Sequence, residues 1–250
     1  MPVMDEFKEE RASIKTASVK QKYQYFKDYY RTPLIIAICV IVFAAILLYQ
    51  FVSRKDSAFY AAMLNCSPYP DNQWFEEDFR KSAGIGADQY DVTLDTAVYL
   101  KMNSTDEDSM ITIQKIETYS GGGTLDALIG GGDAFAYYAN SVALRDLRDF
   151  MTDEQIQKYQ DRFYYIDLAL QNRLAEYTGT EEGFDWSTVP DPGNPEEMED
   201  PRPVAIFVDG SEKLDKAYYF KNAEKGVAMG MFANSSHPDN FTAFLDYLFE

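Results

Sequence analysis

The chain has 250 residues, of which 46% are apolar and 26% charged, enough for one domain with a substantial core and too polar for a protein that crosses a membrane many times. Its 23 Lys and Arg stand against 41 Asp and Glu, a formal charge of -18, which argues against nucleic-acid partners because such binding depends on neutralising phosphates. One histidine, His237, and two cysteines, Cys39 and Cys66, leave no material for a multi-His metal centre, a Cys-rich zinc site or a disulfide framework, so no metal or cofactor is expected.

Residues 1–32 carry seven basic and five acidic side chains, net +2 in a strongly acidic chain. Within them SVKQKYQYFKDYYR sets Tyr23, Phe26 and Tyr30 at helical spacing opposite Lys20, Lys27 and Arg31, which suits either an amphipathic helix on a membrane surface or a short basic feature that orients a span. The 22 residues between Arg31 and Arg54 have no formal charge, and Leu34 to Leu48 is unbroken apolar sequence. Residues 33–53 therefore read as a transmembrane helix, flanked by Tyr29, Tyr30, Tyr49 and Phe51 where aromatic rings favour the interface. The excess of Lys and Arg before the span places residues 1–32 in the cytoplasm and residues 56–250 outside, on an uncleaved signal anchor. Cys39 then lies in the span and Cys66 beyond it, so they cannot pair, and Cys66 reads as a small buried hydrophobe.

Beyond the span, short apolar runs alternate with amphipathic stretches, the pattern of a single α/β domain with a mixed sheet. AFYAAML (58–64) predicts a strand; Asp71 is placed to cap a helix in which Trp74, Phe75 and Phe79 share a face, stopped by Gly84 and Gly86. DVTLDTAVYL (91–100) alternates as a strand, and a helix from about Ser109, with Met110, Ile113 and Ile116 on one stripe, ends at Gly121, Gly122 and Gly123. LDALI (125–129) predicts a short strand running into Gly130, Gly131 and Gly132, with Asp133 able to cap the helix DAFAYYAN. Thr152 and Gln155 make a capping box for TDEQIQKYQDRF. PVAIFV (203–208) and GVAMGMF (226–232) predict strands, and PDNFTAFLDYLF (238–249) a helix with Pro in its first turn. Upstream of these strands, about 176–203, acids and prolines accumulate in a surface insertion.

The glycine clusters are the strongest candidates for chemistry. Residues 121–123 follow a helix and read as a terminator. The second cluster follows a strand and precedes a helix, where open α/β sheets bind ligands, and Gly131, Gly132 and Asp133 are the expected ligand-binding residues. Neither cluster matches a phosphate loop or a dinucleotide fingerprint. Asp185, Asp191, Asn194, Glu196 and Glu197 offer oxygens to calcium, but their spacing fits a solvated acidic loop better. His237 has no partner nearby in sequence. Tyr218, Tyr219 and Phe220 suit a sugar or peptide platform and core packing equally. Hydrolase motifs are absent, so no catalytic residue is assigned and an enzyme is not expected; a hydrolase built from scattered carboxylates is the outlying alternative.

With KQKYQYFKDYYRTP, one span and DSAFYAAMLNC, the chain resembles a group of uncharacterised single-pass membrane proteins of clostridia-type Gram-positive bacteria. TLDALIGGGDAFAYYANSVALRDLRDFMTDEQ is similar to part of the extracellular solute-binding proteins of transporters, over roughly residues 108–160, with PRPVAIFVDGSE as a returning strand. The resemblance implies one lobe of a periplasmic-binding-protein-like fold with a cleft at Gly131 to Asp133, and a small solute, a peptide or an envelope component as its partner. The alternative is a structural or protein-interaction component of the cell envelope with no small-molecule ligand.

Overall fold

The computed structural model describes residues 18–29, 31–52, 54–102, 106–141, 143–176 and 189–250. They form two compact units, one up to Arg54 and one from Lys55 onward. The tail before Ser18, Tyr30, and most of the acidic insertion, including Glu181, Glu182 and Asp185, lie outside the described residues.

The first unit contains helices α1 (Val19–Tyr29) and α2 (Arg31–Val52). α2 has 22 residues and reaches about 33 Å at 1.5 Å per residue, enough for a hydrocarbon core. It is the one candidate membrane span among the described residues, and its apolar side chains are exposed. On α1, Val19 and Tyr23 are exposed, and the side chain of Phe26 lies outside the described residues.

The second unit is an α/β domain around a mixed six-stranded sheet. Its first strand, β1 (Asp56–Leu64), is followed by the short β2 (Cys66–Pro68), then by α3 (Gln73–Ser82) and β3 (Tyr90–Val98). Next come α4 (Glu107–Gly121), β4 (Ala127–Gly131) and α5 (Gly132–Ala139). The chain continues through α6 (Asp153–Tyr159), β5 (Phe163–Asp167), α7 (Leu168–Glu176) and β6 (Pro201–Phe207). It ends with α8 (Glu212–Ala217), β7 (Tyr218–Phe220), β8 (Val227–Met231) and α9 (Pro238–Phe249). The sheet order is β3-β1-β4-β8-β6-β5. β3, β1 and β4 run parallel; β8, β6 and β5 are joined antiparallel. β2 and β7 pair separately as a small antiparallel ribbon.

Burial explains the composition of the strands. β1 lies between β3 and β4 with helices on both sides, so its run from Ala61 to Leu64 is buried throughout and reads as continuous apolar sequence. β3 is an edge, and its burial is confined largely to Val92, Leu94 and Val98. One face of the sheet carries Phe59, Ala61, Met63, Ile129 and Met229 against α3, α8 and α9. The other carries Ala62, Leu64, Leu128, Val204 and Ala228 against α4 and α5. The result is a three-layer arrangement.

Several boundaries differ from the sequence expectations. α3 is preceded by Asn72, not Asp71, and has no side-chain cap, because Asp71 belongs to the turn in which the Asn72 N–H donates to Tyr69 O. Phe75 and Phe79, four apart, are its buried face; Trp74 sits 39% exposed at the rim, edge-on to Phe75. α4 begins at Glu107, capped by Asp106, and its buried stripe is Ser109, Thr112 and Ile116, while Met110 is exposed. The polar choice has a cause: Ser109 Oγ and Thr112 Oγ1 accept the N–H groups of Lys101 and Tyr99, which leave the end of β3 without a strand partner. β4 lies two residues later than the predicted strand and includes Gly130 and Gly131. β5 has no counterpart among the expected strands: Phe163–Asp167 follows the Thr152–Gln155 capping box so closely that it reads as the end of the helix.

Candidate functional site

The site begins where β4 passes into α5. Gly130 and Gly131 pair with Ala228 and Val227 of β8, and both are glycine because neighbours come too close for a side chain. A Cβ on Gly130 would lie 2.8 Å from Leu64 Cβ, and one on Gly131 2.5 Å from Gly226 O. Gly132 adopts φ +62°, and a Cβ there would meet the carbonyl oxygen of Asn222. The cluster therefore packs the start of α5 against the turn at 222–226, which itself contains Asn222 at φ 56°.

Asp133 is not the cap of α5. The helix starts one residue earlier than its sequence suggests, Gly131 occupies the capping position without a side-chain bond, and Asp133 falls in the first turn, exposed. Its charge there suits the positive end of the helix. Among the described residues, no side chain accepts from the first amides of α5.

Two adjoining cavities open at this junction. One, about 460 Å³, is lined by Gly131, Phe135, Tyr164, Asp191, Glu224 and Lys225 among others. The second, about 570 Å³, shares Gly131, Gly132, Asp133, Glu224 and Lys225 and extends to Asn65, Lys101 and Met102. The position follows from topology. After β1 the chain turns to β3 on one side, whereas β4 lies on the other, so the loops after β1 and β4 diverge and leave a crevice at the carboxyl ends of the parallel strands. Asn65 marks the β1 side of that crevice: at φ 52°, its side chain donates to Leu100 O and accepts from Leu100 N, both at 2.9 Å.

The outer wall is the returning part of the acidic insertion. Tyr165 N–H donates to Pro192 O at 2.8 Å, and Asp191 closes a turn by accepting from Gly193 N–H. Asp167, at the end of β5, accepts from the N–H groups of Ala169, Glu199 and Asp200. Burial opposes ionisation of Asp167, but the amide bonds from Asp200, Glu199, Ala169 and Leu170 outweigh it and hold the carboxyl below its ordinary range. A lowered native value means that this contribution to stability is complete above roughly pH 4 and is lost as pH falls through the native value. Asp167→Asn is accordingly expected to be less stable than the wild type at pH 7 and to approach it at pH 3 in thermal unfolding; parallel pH curves would remove Asp167 as the clamp of this wall.

Within the cleft, the Phe135 and Tyr164 rings meet edge to face at 5.2 Å. Burial, then the nearby carboxylates of Asp191 and Asp133, push the Tyr164 hydroxyl above its ordinary range, so it remains protonated at neutral pH. Tyr164, Glu224 and Lys225 are functional candidates that the sequence does not signal. Tyr164 sits in the strand hidden behind the helical pattern, and the turn at 222–226 carries no motif.

His237 does have a partner, 111 residues away: its Nδ1 lies 3.0 Å from Asp126 Oδ1. Asp126 precedes β4, whereas the cleft opens where β4 ends. Ser235 donates its hydroxyl to the same carboxylate oxygen at 2.5 Å, so its proton is committed to Asp126 and not to the imidazole. That arrangement fastens a loop and activates no nucleophile. Tyr218 is buried in the core, Tyr219 is 54% exposed and both lie on β7, so alternation points successive rings to opposite sides, and of the two readings core packing holds for Tyr218.

Cys66 is buried, and although the Ser67 N–H pulls the other way, burial pushes its thiol up to about 12. Iodoacetamide at pH 8 is expected to spare Cys66 in the folded protein and to modify it after denaturation; modification of the native protein at a free-thiol rate would contradict its placement. Among the described residues, no group of three or more His, Cys, Asp and Glu side chains is arranged to hold a metal ion. No family model, curated protein or solved structure matches the chain.

Proposed function

We propose that the chain is a membrane-anchored binding protein whose α/β domain recognises a small solute, a peptide or an envelope component in the cleft at Gly131, Gly132 and Asp133. The observation that carries this reading is the exit of β4: a glycine-built passage into an uncapped helix, opening on a cavity at the crevice of the sheet. The domain then corresponds to one lobe of a periplasmic-binding-protein-like fold. α2 serves as the single anchor, and the excess of basic residues before it supports an α/β domain outside the cell.

The test is a thermal-shift screen of the full chain in detergent against sugars, amino acids, short peptides and nucleosides, since a ligand of the native state raises the unfolding temperature by mass action. Asp133→Ala is expected to weaken the response to the hit about tenfold while leaving the unliganded unfolding temperature within about 2 °C, as for an exposed substitution. Unchanged affinity would exclude Asp133 from the site.

A second reading, a protein-interaction component of the envelope, is favoured by one observation. Met110 and Ile111 on α4 are 60% and 55% exposed and side by side. It predicts a stable complex in mild detergent that is lost in Met110→Lys.

A further inference from the structure

One polar group in the cleft is left over after packing is accounted for. Tyr164 is 7% exposed, lines the cavity, and its hydroxyl has no hydrogen-bond partner among the described residues. Other partly or fully buried tyrosines are treated differently: Tyr60, Tyr159 and Tyr247 donate their protons to Asp95, Asp246 and Asp78. The Tyr138 hydroxyl is also unpaired, but it is sealed in the interior. The Tyr164 side chain is buried but its hydroxyl is not among the sealed unpaired atoms: it opens on the cavity, so its hydrogen-bond partner is whatever the cavity holds.

The surroundings say what that something is. Asp133 and Asp191 lie near enough to oppose ionisation of Tyr164 and form no hydrogen bond with it. Among the described residues the Asp191 carboxylate is engaged through one oxygen, by Gly193 N–H, and Glu224 adds a third acid to the cavity lining, against Lys225 there and Lys101 in the adjoining cavity. An anion is disfavoured even though a helix begins here, because Asp133 already occupies the first turn with the charge that the helix end attracts. A donor with several N–H groups and a positive charge meets every one of these acceptors.

We propose that the cleft holds the primary ammonium group of a small solute between the Tyr164 oxygen and the carboxylates of Asp133 and Asp191. This rests on the reading of the cleft as a solute site and adds the chemical class. An ammonium has three donors for three acceptors, whereas a quaternary nitrogen has none, so charge alone does not suffice.

Three related probes separate these terms on the full chain in detergent: ethanolamine, choline and ethylene glycol, titrated by calorimetry. Ethanolamine is expected to bind saturably, choline at least tenfold more weakly, and ethylene glycol not at all. Tyr164→Phe removes only an oxygen with no partner among the described residues, so it should fold with an unchanged unfolding temperature and bind ethanolamine several-fold more weakly; Asp191→Asn should lose tenfold or more. If choline matches ethanolamine, or Tyr164→Phe leaves affinity unchanged, the ammonium site is overturned. If a neutral or anionic solute binds while amines do not, and filling the cleft with Ala136→Trp abolishes that binding, the solute site stands and its ammonium chemistry falls. If no solute of any class binds, both fall together.

Discussion

Phe244→Ala is expected to lower the stability of the α/β domain by about 4 kcal/mol, or roughly 8–16 °C in Tm, a loss near the upper end for truncating one buried side chain. Phe244 is fully buried on α9. Its ring stacks on Phe59 of β1 at 5.0 Å and meets Phe79 of α3 edge to face at 4.8 Å, with Phe75 at 6.0 Å. Removing it leaves a cavity bounded by three elements that cannot close together, because Phe59, Phe75 and Phe79 also pack on one another or on Tyr218 and Tyr247. Phe244→Leu fills most of the volume and should cost about 1–2 kcal/mol. Thermal unfolding followed by circular dichroism reads both. A loss below about 1 kcal/mol for the alanine variant would mean that α9 is not docked on β1 as described.

The second large effect belongs to Asp126. Its side chain is fully buried and accepts three bonds: from Tyr60 N–H at 2.9 Å, from the Ser235 hydroxyl at 2.5 Å, and from His237 Nδ1 at 3.0 Å when that nitrogen carries its proton. Its backbone adds Asp126 N–H to Tyr60 O and Phe232 N–H to Asp126 O, both at 2.8 Å. One residue thus joins β1, the start of β4, the end of β8 and the entry to α9. Asp126→Ala strands donors in a place water reaches poorly and is expected to cost about 3 kcal/mol, whereas Ser235→Ala or His237→Ala, each removing a single donor, should cost about 1 kcal/mol. Denaturant midpoints at a fixed slope give the comparison. Equal losses for Asp126→Ala and His237→Ala would show that the carboxylate is not the hub.

How much of the fold is legible in the sequence depends on whether a residue's role is local. Strands β1, β3, β6 and β8 are readable because apolar runs record burial on two faces and alternation records an edge. The Thr152–Gln155 capping box is readable because both of its bonds lie within four residues. The apolar length of α2 is equally plain. By contrast, the inward stripe of α4 is polar because it serves amides at the end of β3, so a rule that apolar residues face inward chooses Met110 wrongly. Asp126 looks like one acid among 41, and its partners are 66, 109 and 111 residues away.

The candidate site divides along the same line. The glycines at 130–132 announce themselves by composition, yet the reason for them, the carbonyl oxygens of Asn222 and Gly226, belongs to a distant turn. Asp133 looks like a helix cap, a role it does not have, because the helix begins at a glycine that propensity disfavours. Asp191 stands out in the sequence only as one more acid of the insertion. Its placement beside Tyr164 in the cleft depends on β5, which the helical pattern before it conceals. A cleft is a property of several loops at once, and no single segment of this chain describes it.

The most direct test of the cleft as the working surface is amide hydrogen exchange on the full chain in detergent, with and without a solute found by titration. Added protection is expected to concentrate at residues 130–136, 189–192 and 222–228, the three segments that meet at the mouth of β4. Protection centred on the exposed Met110 and Ile111 of α4, with those three segments unchanged, would contradict it.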